Sequence, residues 1–265
     1  MFFRLSSLEL ALILFAIVLG STLLGWFAGH TLRSQKENLK EPFGAIQAAL
    51  LGLVALVLAF GLTMAVGRYD SRRAAVVQEA NAIGTTYLRA ETLAEPMRTR
   101  SLSLLRDYTD AAIAYSETVP ETSAQLAAIA EAERLQRSLW RLAGESLLAA
   151  PTESAPRLYV ETLNEMIDME TVRISTLRNR VPDSVLMVEV IGAAVALFLL
   201  ALFVAIFHRG VVTVVLAAVF VGVVLFVTFD LDRPTRGLIR VPDDPLVRLR
   251  ASMELPPAGR GPSGP

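Results

Sequence analysis

The chain contains no cysteine and only two histidines, and charged residues make up just 19% of its 265 positions. Without cysteine there is no disulfide framework, zinc knuckle or thiol nucleophile. With 25 basic and 26 acidic residues, it lacks the positive excess that nucleic acid attracts. No glycine-rich phosphate loop, nucleophile elbow or other catalytic constellation is present. The chain therefore reads as a non-enzyme with no cofactor and no metal centre. What it has in abundance is apolar sequence, 53% of all residues, with a mean hydropathy of +0.49. That composition marks an integral membrane protein.

A helix needs about 20 apolar residues to cross ~30 Å of hydrocarbon. The runs Leu10–Leu32 and Phe43–Gly67 carry no Asp, Glu, Lys or Arg. Two more uncharged runs are Val190–Phe207, with Glu189 at its edge, and Gly210–Phe229. The first run is longer than the about 7–15 residues of a signal-peptide core and has no small-x-small cleavage site after it. Trp26, Phe27 and His30 near its far end suit an interface anchor, so it reads as a retained helix. The last two runs are separated only by His208 and Arg209, which predicts a tight helical hairpin.

Four spans put both termini and the long central segment on one side. That side carries Arg4, Arg68, Arg72, Arg73, Arg173, Arg178, Arg180, Arg233, Arg236 and Arg240 near the spans. The other side has Arg33, Lys36, Lys40 and Arg209. The positive-inside rule then places the termini and central domain in the cytoplasm of a multi-pass inner-membrane protein.

The expected organisation is an N-terminal membrane pair (1–67, helices about 10–32 and 43–67) and a cytoplasmic helical domain (68–183). A membrane hairpin (184–229), a post-membrane segment (230–250) and a Gly- and Pro-rich disordered tail (251–265) follow. In the central domain Leu105, Tyr108, Ala112 and Tyr115 repeat at helical spacing, as do Leu135, Leu139 and Leu142. Leu163 and Ile167, then Ile174 and Leu177, continue the pattern. Pro96, Pro120, Pro151, Pro156 and Pro182 punctuate it. Thr118-Val119-Pro120-Glu121 fits a capping box with Thr118 as the N-cap. No breaker stands between the second span and Pro96, so that helix is expected to continue several turns beyond the membrane. The fold class is all-α: four membrane helices with a helical bundle or stalk between the second and third.

Small residues recur four apart in the spans, at Ala48 and Gly52, Ala55 and Ala59, Gly192 and Ala196, and Ala218 and Gly222. Such pairs let membrane helices approach closely, in a bundle or between copies. His30 and His208 fall at the same outer face, but metal sites generally use three or four ligands, and the two read as interfacial histidines.

Two polar stretches hold the candidate functional residues. The first is Arg68-Tyr69-Asp70-Ser71-Arg72-Arg73, followed by Glu79-Ala80-Asn81-Ala82-Ile83-Gly84-Thr85. The second is Asp230-Leu231-Asp232-Arg233-Pro234, with Gly237 beyond. Both leave the membrane on the same side, so Asp230 and Asp232 are within chain reach of Arg68, Arg72 or Arg73. One reading is ordinary interfacial charge and helix capping. The other is a charged mouth or ligand site built from Arg68, Asp70, Arg72, Arg73, Glu79, Asn81, Asp230, Asp232 and Arg233. An EF-hand is excluded, because no acidic residue stands twelfth from Asp230.

At these two stretches the sequence resembles the bacterial bestrophin-like domain membrane proteins, over roughly Gly44 to Leu249. Bestrophins are pentameric anion channels with four membrane helices per subunit and a helical cytosolic region. The resemblance implies a homo-oligomer in the lipid bilayer, an inorganic ion as its partner, and a second helix that lines a pore. Leu53, Val57, Phe60 and Met64, at spacings of four, three and four, would then face that pore. Lipid-facing or bundle-core placement gives the same pattern. The tandem tryptophans after the second helix of animal bestrophins are absent, and Arg68-Tyr69 stands there instead. Asp243-Asp244 and Asp230/Asp232 do not form the family's dense acidic cluster, so neither calcium gating nor anion selectivity carries over. The leading expectation is an oligomeric ion channel. The alternative is a non-conducting sensor or scaffold whose helical bundle binds a partner or ligand.

Overall fold

The computed structural model describes residues 6–32, 40–120, 122–207 and 211–255. They form eight helices in two compact units and no strand among the described residues. Helix α1 spans Ser7–Thr31, α2 Lys40–Ala90, α3 Met97–Glu117 and α4 Ser123–Ala149. Helix α5 spans Ser154–Arg178, α6 Asp183–Phe207, α7 Val211–Leu231 and α8 Asp244–Ser252. Four of them, α1, α2, α6 and α7, hold stretches long and apolar enough to cross a membrane. The segment joining α6 to α7, with His208 and Arg209, lies outside the described residues, as do Arg33, Lys36 and Glu121.

Helix α2 is continuous for 51 residues, about 77 Å at 1.5 Å per residue. The absence of a breaker before Pro96 is thus realised as one unbroken helix. The prolines sit where a missing N–H does least harm. Pro96 caps α3, Pro156 occupies the first turn of α5, and the Pro182 carbonyl accepts the amides of Val185 and Leu186 at the start of α6.

The first unit comprises residues 1–69 and 180–240. Its core gathers Leu10, Leu14 and Val18 of α1, Val54, Leu58 and Ala65 of α2, Ala193, Ala196 and Leu197 of α6, and Leu225 and Phe229 of α7. Helices α1 and α6 approach closely at two glycines. A Cβ on Gly25 would collide with the Phe198 carbonyl, and one on Gly29 would stand 2.5 Å from the Leu202 carbonyl oxygen and 2.6 Å from Ala205 Cβ. This Gly25-x-x-x-Gly29 contact was not among the small-residue pairs singled out from sequence. Of those pairs, Gly192 meets Val54 at an ordinary 3.6 Å, while Gly52 and Gly222 face open space.

The second unit comprises residues 70–179 and 241–265. Ile83, Tyr87 and Ala90 of α2, Leu105, Tyr108 and Ala112 of α3, Leu135 and Leu139 of α4, and Tyr159, Leu163 and Met166 of α5 form its core, joined by Leu246 of α8. Two expectations differ from the structure. The N-cap of α4 is Thr122, whose hydroxyl accepts the Gln125 amide at 3.3 Å, and not Thr118. Thr118 instead ends α3, its hydroxyl donating to the Tyr115 carbonyl at 2.7 Å. Helix α8 also runs to Ser252, into the stretch read from sequence as a disordered tail. It is held there by Met253, which is buried and whose carbonyl accepts from Tyr87 and Arg106.

Candidate functional site

The apolar face of α2 comes first. Val54, Leu58 and Ala65 turn into the core of their own unit. Leu53 and Phe60, on the other side, are 58% and 63% exposed. Val57 and Met64 flank this outward face and are half-buried, with Met64 packed against the core.

The polar residues after this face divide by what they touch. Arg68 is half-buried, and Asp70, Arg73 and Asn81 are exposed. Arg72 is fully buried and donates to the Asn179 carbonyl at 2.8 Å within the second unit. Glu79 is fully buried and forms an ion pair with Arg173 Nε of α5.

The Asp230 stretch is built into a loop of the first unit. The Asp230 carboxylate accepts the amides of Leu238 at 2.9 Å and Ile239 at 2.8 Å. Its backbone carbonyl accepts the Arg233 amide at 3.0 Å. The loop folds back so tightly that a Cβ on Gly237 would lie 2.7 Å from the Asp230 carbonyl oxygen. Asp232 is buried, and both its oxygens face the Val181 amide, at 3.1 and 3.2 Å. The Arg233 side chain is buried beside them, and desolvation pulls its pKa below the usual arginine value. These aspartates use oxygens on backbone amides, where charge-assisted hydrogen bonds are short and strong.

Two buried polar arrangements were missed from sequence. In the first unit, Glu189 of α6 is 1% exposed and packs its carboxyl against Gly61 of α2, with no hydrogen-bond donor to it among the described residues. In the second unit, Arg173 is 1% exposed. It donates to the Ala112 carbonyl at 3.1 Å and the Ser116 hydroxyl at 3.0 Å, and lies 5.0 Å over the Tyr115 ring. Glu170, one turn earlier, accepts from Gln136, which also reaches Tyr108 Oη at 3.4 Å. Register was the available signal: Leu163, Met166, Glu170 and Arg173 follow one helical stripe, so the two charged residues occupy core positions. No group of three His, Asp or Glu suited to a metal occurs among the described residues.

The profile of the Bestrophin-like domain matches residues 11–246. The chain belongs to the bestrophin-like domain family. Crystal structures of a bacterial bestrophin homologue from Klebsiella pneumoniae share the fold of this bestrophin-like protein. One aligns with a TM-score of 0.67 at 13% identity, covering 89% of this chain and 96% of that one. A second, carrying a tyrosine-to-alanine mutation, aligns with a TM-score of 0.65 at 14% identity, covering 89% and 97%. Among curated proteins no sequence matches the chain. Family and fold together make it a multi-pass bestrophin-like membrane protein in contact with the lipid bilayer.

Proposed function

We propose that this bestrophin-like protein is a homo-oligomeric ion channel of the cytoplasmic membrane, with α2 lining the pathway and the termini and bundle in the cytoplasm. The observation that carries the reading is the division of α2 into two faces. One face is consumed by Val54, Leu58 and Ala65 in the chain's own core, which leaves Leu53 and Phe60 pointing out of it. Copies arranged about an axis would bring those side chains together as an apolar constriction of the kind that gates by dewetting. The bestrophin resemblance supports five copies. Arg68 stands one turn past Met64, next to this face, and the reversal potential decides which ion sign passes.

The test is ionic current from the purified protein in planar bilayers, with salt asymmetric across the membrane and Phe60→Ala as the comparison. Discrete currents altered by the substitution are expected, and the reversal potential gives the sign of the ion. Silence from folded, inserted protein, or a monomer in every mild detergent, would overturn the channel in favour of a sensor or scaffold.

A further inference from the structure

The helical bundle holds a charged cluster that conduction along α2 does not use. Glu79 of α2, Glu170 and Arg173 of α5, Gln136 of α4, and Tyr108, Tyr115 and Ser116 of α3 meet inside it. Glu79 and Glu170 are two carboxyls in a place with one guanidinium. With both ionised, the cluster holds one negative charge too many, and a buried unbalanced charge is costly. The donors are also unevenly spread. Glu79 Oε2 faces Arg173 Nε, but Oε1, equally buried, meets no donor among the described residues.

We infer that Glu79, Glu170 and Arg173 form a proton-binding site that ties α5 to α2 and α4, closed when one proton is held between the two carboxyls and loosened when it leaves. The groups facing it are few. From α3 come the Tyr108 and Tyr115 hydroxyls, both pushed up by burial and ionised in no physiological range. From α4 comes Glu133, whose charge opposes ionisation of Glu170 but which is exposed and pairs with Arg137 at 3.7 Å. From α5 come Arg173 itself and Arg178, which acts on Tyr115.

Burial pushes Glu79 up to about 7 against the pull of Arg173, with Glu170 pushing the same way. Glu170 is also raised, again chiefly by burial. The two carboxyls titrate as a pair, so the proton belongs to the cluster. A carboxyl raised above its unfolded value of 4.5 stabilises the fold fully below that pH. The contribution is lost as pH rises through about 7.

The experiment uses the full-length protein in detergent and reads its thermal unfolding midpoint from about pH 5 to about pH 8. Because the readout is unfolding and not current, the site stands or falls independently of the channel reading. The wild-type midpoint should fall as pH rises, with the unfolding constant changing by at most about tenfold per pH unit for one proton. Glu170→Gln removes the surplus carboxylate and should flatten that fall while raising stability at the alkaline end. A wild-type midpoint that is flat or rises, or a slope unchanged in Glu170→Gln, overturns the proposal. If Glu170→Gln does not fold, hydrogen exchange of wild-type α5 decides. Protection around Met166–Arg173, corrected for intrinsic rate, should fall across the same window, and constant protection overturns the site.

Discussion

The two units of this protein both bury helix faces and both bury charge, but they use that charge differently. The first packs by shape: glycines at Gly25 and Gly29 bring α1 against the backbone of α6, and its aspartates bond to backbone amides of a loop and of Val181. The second packs around charge, with Glu79 and Arg173 at the centre of an otherwise apolar core. On the proposed placement, with the first unit in lipid and the bundle in water, the difference follows from the solvent. Between membrane helices lipid is as apolar as leucine, so association relies on close contact and hydrogen bonds. In a bundle that buries apolar surface from water, the hydrophobic gain is large enough to carry an ion pair whose own net contribution is small.

Arg173→Met breaks the second pattern and should have the largest effect. It leaves the Glu79 carboxylate buried without its partner, which typically costs roughly 3–5 kcal/mol. The Ala112 carbonyl and Ser116 hydroxyl lose a donor as well. Denaturant unfolding of the full-length protein should show the bundle transition moved to much lower denaturant. The double variant Glu79→Leu with Arg173→Met should recover most of that loss. If it is no more stable than the single variant, the loss lies in the Ala112 and Ser116 hydrogen bonds and not in the unpaired carboxylate.

The first pattern is sharpened by adding single carbons. Gly29→Ala puts a methyl against the Leu202 carbonyl and Ala205, so the α1–α6 pair must separate. The cost should be about 1–3 kcal/mol, the range for overpacking. Gly52→Ala and Gly222→Ala meet nothing within 4 Å in the chain. Each should be neutral or gain a few tenths to about 1 kcal/mol of helix propensity. Unfolding by a denaturing detergent, compared across the three variants, checks this. A Gly222→Ala variant that unfolds normally but changes its oligomeric state would identify that face as a contact between copies.

Between these, Asp230→Ala should cost roughly 1–3 kcal/mol, because it removes the acceptor of two loop amides. Proteolysis of the 232–240 loop reports it. Unchanged resistance to cleavage would show that the Asp230 carboxylate does not hold this loop.

The four spans were legible because charge is absent over lengths that fit a bilayer, and α2 because nothing in it breaks a helix. The stripe of Leu105, Tyr108, Ala112 and Tyr115 proved buried throughout, since periodicity at 3.6 residues is local information. The partner of Glu79 was not legible in this way. Arg173 stands far along the chain, and sequence alone assigns it to the count of basic residues near the membrane. Its role depends on which faces of α2, α3 and α5 meet, and spacing within one helix does not fix that. The same limit applies to Gly25 and Gly29. Their spacing was visible, but Gly52 and Gly222 share the same kind of pattern without a close neighbour in the chain.

A smaller effect than that of Arg173→Met concerns a cap, which the sequence reading puts at Thr118. A capping box places its N-cap three residues before an acid or amide, and Thr118 before Glu121 fits that pattern. The structure chooses Thr122. Pro120 restrains the residue before it to extended backbone, which leaves Thr118 outside any helix it could start, and its hydroxyl turns back to the Tyr115 carbonyl. Thr122→Ala should therefore destabilise the bundle by about 1 kcal/mol. Thr118→Ala, which removes one part-buried hydrogen bond at the end of α3, should cost no more than that. Amide exchange at Gln125 separates the two: it should quicken in Thr122→Ala and stay unchanged in Thr118→Ala. The reverse result would return the start of α4 to Thr118.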